Sequence, residues 1–194
     1  MGKGKFIVLE GIDGSGKSTL AERVASLLEN SVCLREPTTG QYGKKIREKL
    51  SGTQKLDPEE MLELFILDRR EDCERNIMPA ILSGKNIVMD RYFYSNAAYQ
   101  GAMGLDPGRI VERNIMEGFP VPDIVLFVKI HPEEAINRIS GRGGKSEQYE
   151  KLSFLTEVDK VFGVIADNRF VFLDGTLPRT QLAEKAMEEV SKVL

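Results

Sequence analysis

A mostly parallel α/β sheet covered by helices on both faces is the fold class this sequence predicts, and three observations predict it. Short apolar runs alternate with helical patterns along the whole chain. The glycine-rich string GIDGSGKS at 11–18 lies directly between the first apolar run and the first helical pattern. At 194 residues and 41% hydrophobic, with no repeat, low-complexity tract or linker, the chain fits one domain spanning 1–194 with a large core.

Taken in order, the run Phe6, Ile7, Val8, Leu9 predicts a first strand over about 5–10. Strands follow near 31–35, 86–90, 124–129 and 170–174, giving five parallel strands. The first helix is expected from Lys17 to about Glu29, with Leu20, Val24, Leu27 and Leu28 as its core-facing stripe. Asp57, Pro58 and Glu60 read as a cap, a first-turn proline and a capping-box acid, opening a long helix to about residue 82. Pro132 with Glu133 and Glu134 opens another, and a last helix over 178–193 would bury Leu182, Ala186, Val190 and Val193. Cys33 falls in a strand and Cys73 in a helix, without metal or redox spacing, so both read as reduced thiols of a cytoplasmic protein.

The string at 11–18 has the strand, loop and helix context of a P-loop, so the expected fold is that of a P-loop NTPase. At average residue frequencies its spacing would arise by chance in roughly one per cent of chains of this length. Gly11, Gly14 and Gly16 allow the tight turn that converges backbone N–H groups on phosphate oxygens, with Ile12, Asp13 and Ser15 completing the loop. Lys17 supplies an ammonium to the β and γ phosphates, Ser18 an oxygen to Mg²⁺, and Thr19 follows in the first helical turn. A nucleoside triphosphate with Mg²⁺ is therefore the expected ligand.

Ligands in such sheets bind beyond the carboxyl ends of the strands. Strand three ends in Asp90 and Arg91, a carboxylate for Mg²⁺ or its waters and a guanidinium for a second phosphate; the alternative is an ion pair between the two. Phe65 and Arg69 stand four apart on the helix capped by Asp57, a flat ring and a fork of donors on one face. They can stack on a base and read its edge, or Phe65 can be core. His131, just before Pro132, reads as a capping or exposed residue.

The stretches IVLEGIDGSGKST, LREPTTGQYGKKIREKL, LFILDRR with MPAIL, DRYFYSNAAYQG and PDIVLFVKIHPEEAINRI together resemble the thymidylate kinase family over nearly the whole chain. The resemblance implies transfer of the ATP γ-phosphoryl group to dTMP, giving dTDP and ADP, by a homodimer. It further implies that Phe65 stacks on thymine, Arg69 bonds its O4 edge, and Arg91 holds the dTMP phosphate with Tyr42 nearby. Asn96, Tyr99 and Gln100, on one helix face, would contact the base and exclude a 2′-hydroxyl. Asp13 would meet the 3′-hydroxyl or the transferring phosphate. Tyr92 and Tyr94 are expected to be packing residues.

Members of this family carry a catalytic arginine in the P-loop or in a mobile lid, and the P-loop here has Gly14 and Ser15 where it would stand. The lid, about 138–151 and reading RISGRGGK at 138–145, would then supply it, with Arg142 the first candidate, Arg138 also expected to hold ATP, and Arg138 and Lys145 the alternative sources of the charge. An arginine at Ser15 would be expected to substitute for Arg142.

The net charge of −3 offers no footprint for a nucleic acid, the N-terminus lacks a leader's apolar stretch, and no run is long enough for a membrane. A broader pyrimidine monophosphate kinase is the nearest alternative function. A regulatory GTPase is disfavoured by the lack of its DxxG and NKxD strings.

Overall fold

A computed structural model describes residues 3–52, 56–139 and 145–194, with 145–150 described in backbone only. Its five strands are β1 (Phe6–Glu10), β2 (Ser31–Arg35), β3 (Asn86–Asp90), β4 (Ile124–Lys129) and β5 (Phe170–Asp174). All pair in parallel in the order β2-β3-β1-β4-β5. Every residue of the central β1 is buried, as a parallel strand covered on both faces requires.

One face packs against α1 (Lys17–Leu27) and α9 (Arg179–Ser191) through Ile7, Leu9, Leu20, Val24, Leu126, Leu182 and Val190. The other carries α3 (Pro58–Asp72), α5 (Phe93–Ala102), α6 (Pro107–Met116) and α8 (Lys145–Ile165) over Val8, Ile66, Met89, Phe93, Phe127 and Phe162. Each such fully buried aliphatic or aromatic side chain contributes roughly 1.5 to 3 kcal/mol through removal from water. Two further helices, α2 (Gln41–Ser51) and α7 (Pro132–Ile139), flank the carboxyl end of the sheet, and a π-helical turn (Cys73–Ile77) joins α3 to α4 (Met78–Leu82).

Strand bounds match the sequence reading closely; the local expectations for Leu27 and Glu60 do not survive. Leu27 is 44% exposed, because the buried face of α1 is centred on Leu20, Ala21, Val24 and Leu28 and leaves Leu27 at its margin. Asp57 does cap α3, accepting the Glu59 N–H at 3.1 Å, but Glu60 closes no capping box. Its carboxylate instead takes the Lys49 ammonium of α2 at 2.8 Å. Asp90 and Arg91 do not pair with each other: Arg91 has φ 70° and turns away.

Candidate active site at the carboxyl end of the sheet

The loop after β1 runs into α1 with Gly16 as its N-cap at φ 94°, so Lys17, Ser18 and Thr19 form the first helical turn beneath converging N–H groups. Gly14 has φ 81°, and a Cβ there would meet the Ala135 carbonyl oxygen at 2.5 Å, so only glycine lets α7 seat on this loop. Ser15 is buried with its hydroxyl unpartnered, and a Cβ on Gly11 would meet that hydroxyl at 2.8 Å.

Lys17 is only 5% exposed. Its Nζ donates to the Ile12 carbonyl at 3.3 Å and pairs with the Asp13 carboxylate at 3.8 Å. Burial, reinforced by the Arg91 charge, lowers the ammonium to about 7. Asp13 also pairs with Arg91, so one carboxylate lies between two cations. Against the opposing effect of burial, Arg91 and Lys17 hold its carboxyl below the usual carboxylate range.

Register explains why these groups meet. Leu9 pairs with Asp90, so the residues one step on, Glu10 and Arg91, emerge side by side, and the Arg91 N–H donates to the Leu9 carbonyl at 3.0 Å. The Arg91 guanidinium donates to Ser95 Oγ at 2.9 Å and to Tyr99 Oη at 3.4 Å, and lies over the Tyr99 ring at 5.1 Å. Tyr99 Oη also accepts the Asp13 N–H at 3.1 Å, and burial raises its hydroxyl to about 12. Asp90 is buried, with Oδ2 at 3.4 Å from Arg35 and Oδ1 unpartnered.

Beside this charged corner opens a pocket of about 800 Å³, large enough for a nucleotide. It brings together Asp13, Phe65, Arg69, Arg91, Asn96, Tyr99 and Gln100. Phe65 is half-buried and stands in neither core cluster, so its ring lines the pocket instead of packing the interior. Tyr42 is not among the lining residues; its ring takes the Lys45 ammonium at 5.7 Å. Tyr92 and Tyr94 are buried packing residues, as expected. His131 is exposed and accepts the Glu133 N–H at 3.4 Å, the capping role expected of it.

Arg69 is wholly buried and lines the pocket. It donates from Nε and Nη2 to the two oxygens of Glu36, from Nη2 to Asn96 at 2.8 Å and from Nη1 to Asn114 at 2.6 Å, with the Tyr92 ring 4.9 Å away. Burial pushes the Glu36 carboxyl up, more than the Arg69 charge and hydrogen bonds pull it down. A second carboxylate, Asp68, accepts the Thr38 N–H at 2.8 Å and its hydroxyl at 2.6 Å, tying α3 to the loop after β2.

Glu10, Glu36, Asp68 and Asn114 were not anticipated. Glu10, Glu36 and Asp68 stand in the strings IVLEGIDGSGKST, LREPTTGQYGKKIREKL and LFILDRR, whereas Asn114 has no local signal. Arg138 ends α7 and reaches the Ser15 carbonyl at 3.4 Å and the Gly175 carbonyl at 3.1 Å. Arg142 lies outside the described residues, and so does the side chain of Lys145.

A family model described as thymidylate kinase matches residues 9–186. Among individual relatives, the probable thymidylate kinase of Archaeoglobus fulgidus is 43% identical over 193 residues, covering 97% of this chain and 94% of the relative. Thymidylate kinases of Brachyspira hyodysenteriae, 39% identical over 199 residues, and Leptospira borgpetersenii, 36% over 187, cover 99% and 94% of this chain and 97% and 91% of their own lengths.

Proposed function

The chain belongs to the thymidylate kinase family, and from that premise we propose that it transfers the γ-phosphoryl group of ATP to the 5′-phosphate of dTMP, giving dTDP and ADP. One observation carries the reading of the site: the P-loop with Lys17 and the pocket lined by Phe65, Asn96, Tyr99 and Gln100 meet at a single charged corner formed by Asp13 and Arg91. A donor phosphate chain on the P-loop and a nucleotide in the pocket would have their phosphates side by side there.

The accepting phosphate is already an anion, so the residues need to align and neutralise, with no nucleophilic side chain. In this reading Lys17 and the loop N–H groups hold the donor phosphates, and Arg91 holds the acceptor phosphate. Phe65 stacks on the base. Arg69, fixed by Glu36 and Asn114, orients Asn96 and through it Gln100, whose Oε1 accepts the Asn96 amide at 3.3 Å. Tyr99 closes the sugar side and Asp13 meets the 3′-hydroxyl. Arg138 holds ATP from above, and Arg142 supplies charge to the transferring group.

The residues present fit Mg²⁺: the unpartnered buried Oδ1 of Asp90 and the Ser18 hydroxyl in the first turn of α1 would hold it or its waters. When bound with ATP the ion neutralises phosphate charge. We further propose a homodimer, supported by Ile115 and the 87%-exposed Met116 standing beside the Arg70–Glu117 pair, and a cytoplasmic setting for the unpaired Cys33 and Cys73. Among the described residues no helix is long and apolar enough to cross a membrane.

The test is an acceptor panel with ATP and Mg²⁺. Formation of dTDP from dTMP in preference to products from dUMP and ribonucleotides is the expected result. Free phosphate alone would mark a simple NTPase, and equal use of several pyrimidines a broader kinase.

A further inference from the structure

The backbone of Arg91 is the chain's most unusual non-glycine turn among those bearing on the site. Its φ of 70° lies in a region that residues with a side chain rarely adopt, and such conformations persist only where surrounding contacts over-determine them. Those contacts converge on one buried carboxylate. Glu10, the last residue of β1, is fully buried, and its Oε1 accepts the N–H of Tyr92 at 2.9 Å and of Ser95 at 3.1 Å. Tyr92 is the residue immediately after the turn and the N-cap of α5, whose own side chain makes no cap. Glu10 therefore caps α5 from a neighbouring strand and pins the peptide that follows Arg91.

The second oxygen extends the tie to the guanidinium. Ser95 Oγ donates to Glu10 Oε2 at 2.6 Å and accepts Arg91 Nη1 at 2.9 Å. A hydroxyl has one proton and two lone pairs, so it can serve both groups at once, and the carboxylate fixes which way its proton points. The other charged contact of Arg91, Asp13, lies on the P-loop and is exposed. Tyr99 also touches the guanidinium, but Ser95 is the contact that joins it to Glu10.

Resting on the reading of Arg91 as the ligand of the acceptor phosphate, we propose that Glu10 and Ser95 are positioning residues: Glu10 holds the left-handed turn at Arg91, and Ser95 relays that support to the guanidinium and aims it at the acceptor. Burial dominates and raises the Glu10 carboxyl, with the Ser95 hydrogen bond and the Arg91 charge pulling the other way.

Glu10→Gln removes an acceptor from a buried network and risks the fold; Ser95→Ala leaves both backbone contacts of Glu10 in place and is the variant of choice. With wild-type enzyme, ATP and dTMP as reference, Ser95→Ala should raise the acceptor KM about tenfold. The ATP KM should stay within about twofold and the melting temperature within about 3 °C, and Ser95→Thr, which keeps the hydroxyl, should restore the acceptor KM. The Arg91 Nη–H resonances, slowed in rotation by the tie to Ser95, should collapse in Ser95→Ala and return in Ser95→Thr, which separates positioning from direct contact between Ser95 and the acceptor. An acceptor KM unchanged in Ser95→Ala, or Arg91 resonances unchanged in it, overturns the proposal. Should the wild type form no dTDP, the functional reading falls, and the resonances still decide whether Ser95 anchors Arg91.

Discussion

Lys17 is held at about 7 because burial removes water from its ammonium and Arg91 repels it, against an ordinary lysine value near 10.4. Anionic phosphates favour the charged form, so the bound value must lie above the free one, and in the interval between them binding takes up a proton. Proton uptake on ATP binding is therefore expected at pH 8, with ATP affinity falling as pH rises above about 7. Calorimetry in buffers of different ionisation heat measures it directly; uptake should vanish in Lys17→Ala, a variant that should also lose phosphoryl transfer while staying folded. The same scale separates two roles for Phe65. Its half-buried ring lines the pocket, so Phe65→Ala should weaken dTMP binding by about 1 to 3 kcal/mol with ATP affinity unchanged. A loss on the order of 3 to 5 kcal/mol in stability with unchanged dTMP binding would return Phe65 to the core.

Helices differ in what they reveal locally, and that difference sets how much of this protein is legible from sequence. The strands and the helices opened by Asp57–Pro58 and Pro132 announce themselves by apolar runs and caps. The Asp106–Pro107 start of α6 carries the same signal, with Asp106 accepting the Arg109 N–H at 3.1 Å. By contrast α2 starts at Gly40 with no side-chain cap and contains Gly43, so nothing local marks it. Site residues follow the same division. Phe65, Arg69, Asn96 and Gln100 share faces within single helices, whereas the partners that fix Arg69, Glu36 and Asn114, lie 33 and 45 residues away and meet it only through the fold. That tie between α3 and α6 is testable. Asn114→Leu leaves a buried guanidinium N–H without its acceptor, which should lower the melting temperature by roughly 2 to 10 °C and raise the dTMP KM more than the ATP KM. Unchanged dTMP kinetics in a destabilised variant would reduce Asn114 to a packing role.

At the scale of the whole molecule, the sheet divides the labour: one end of each strand carries chemistry, and the helices on either face bring the two nucleotide sites to it. Two of those helices meet the site from opposite sides. α7 seats on the P-loop through Gly14 and Ala135 and through Arg138, while α8 packs beside α5, with Phe154 of α8 6.1 Å from the Tyr99 ring. In sequence Arg142 lies between these two helices, outside the described residues, and it is the arginine proposed to serve the transferring group. The P-loop cannot supply that charge itself, because Gly14 is pressed against α7 and Ser15 is buried. Charge grows on the transferring oxygens only near the transition state, so an arginine acting there should govern kcat and leave ground-state affinity nearly untouched. Arg142→Ala is expected to slow turnover by roughly 10³-fold, with ATP and dTMP binding within about tenfold of wild type. Because Ser15 is buried, Ser15→Arg should fail to rescue that variant and should itself lower the melting temperature. If Arg142→Ala instead keeps more than about a tenth of wild-type kcat, the catalytic charge must come from Arg138, whose anchoring to the Ser15 and Gly175 carbonyls then predicts a fall in kcat together with a rise in the ATP KM for Arg138→Ala.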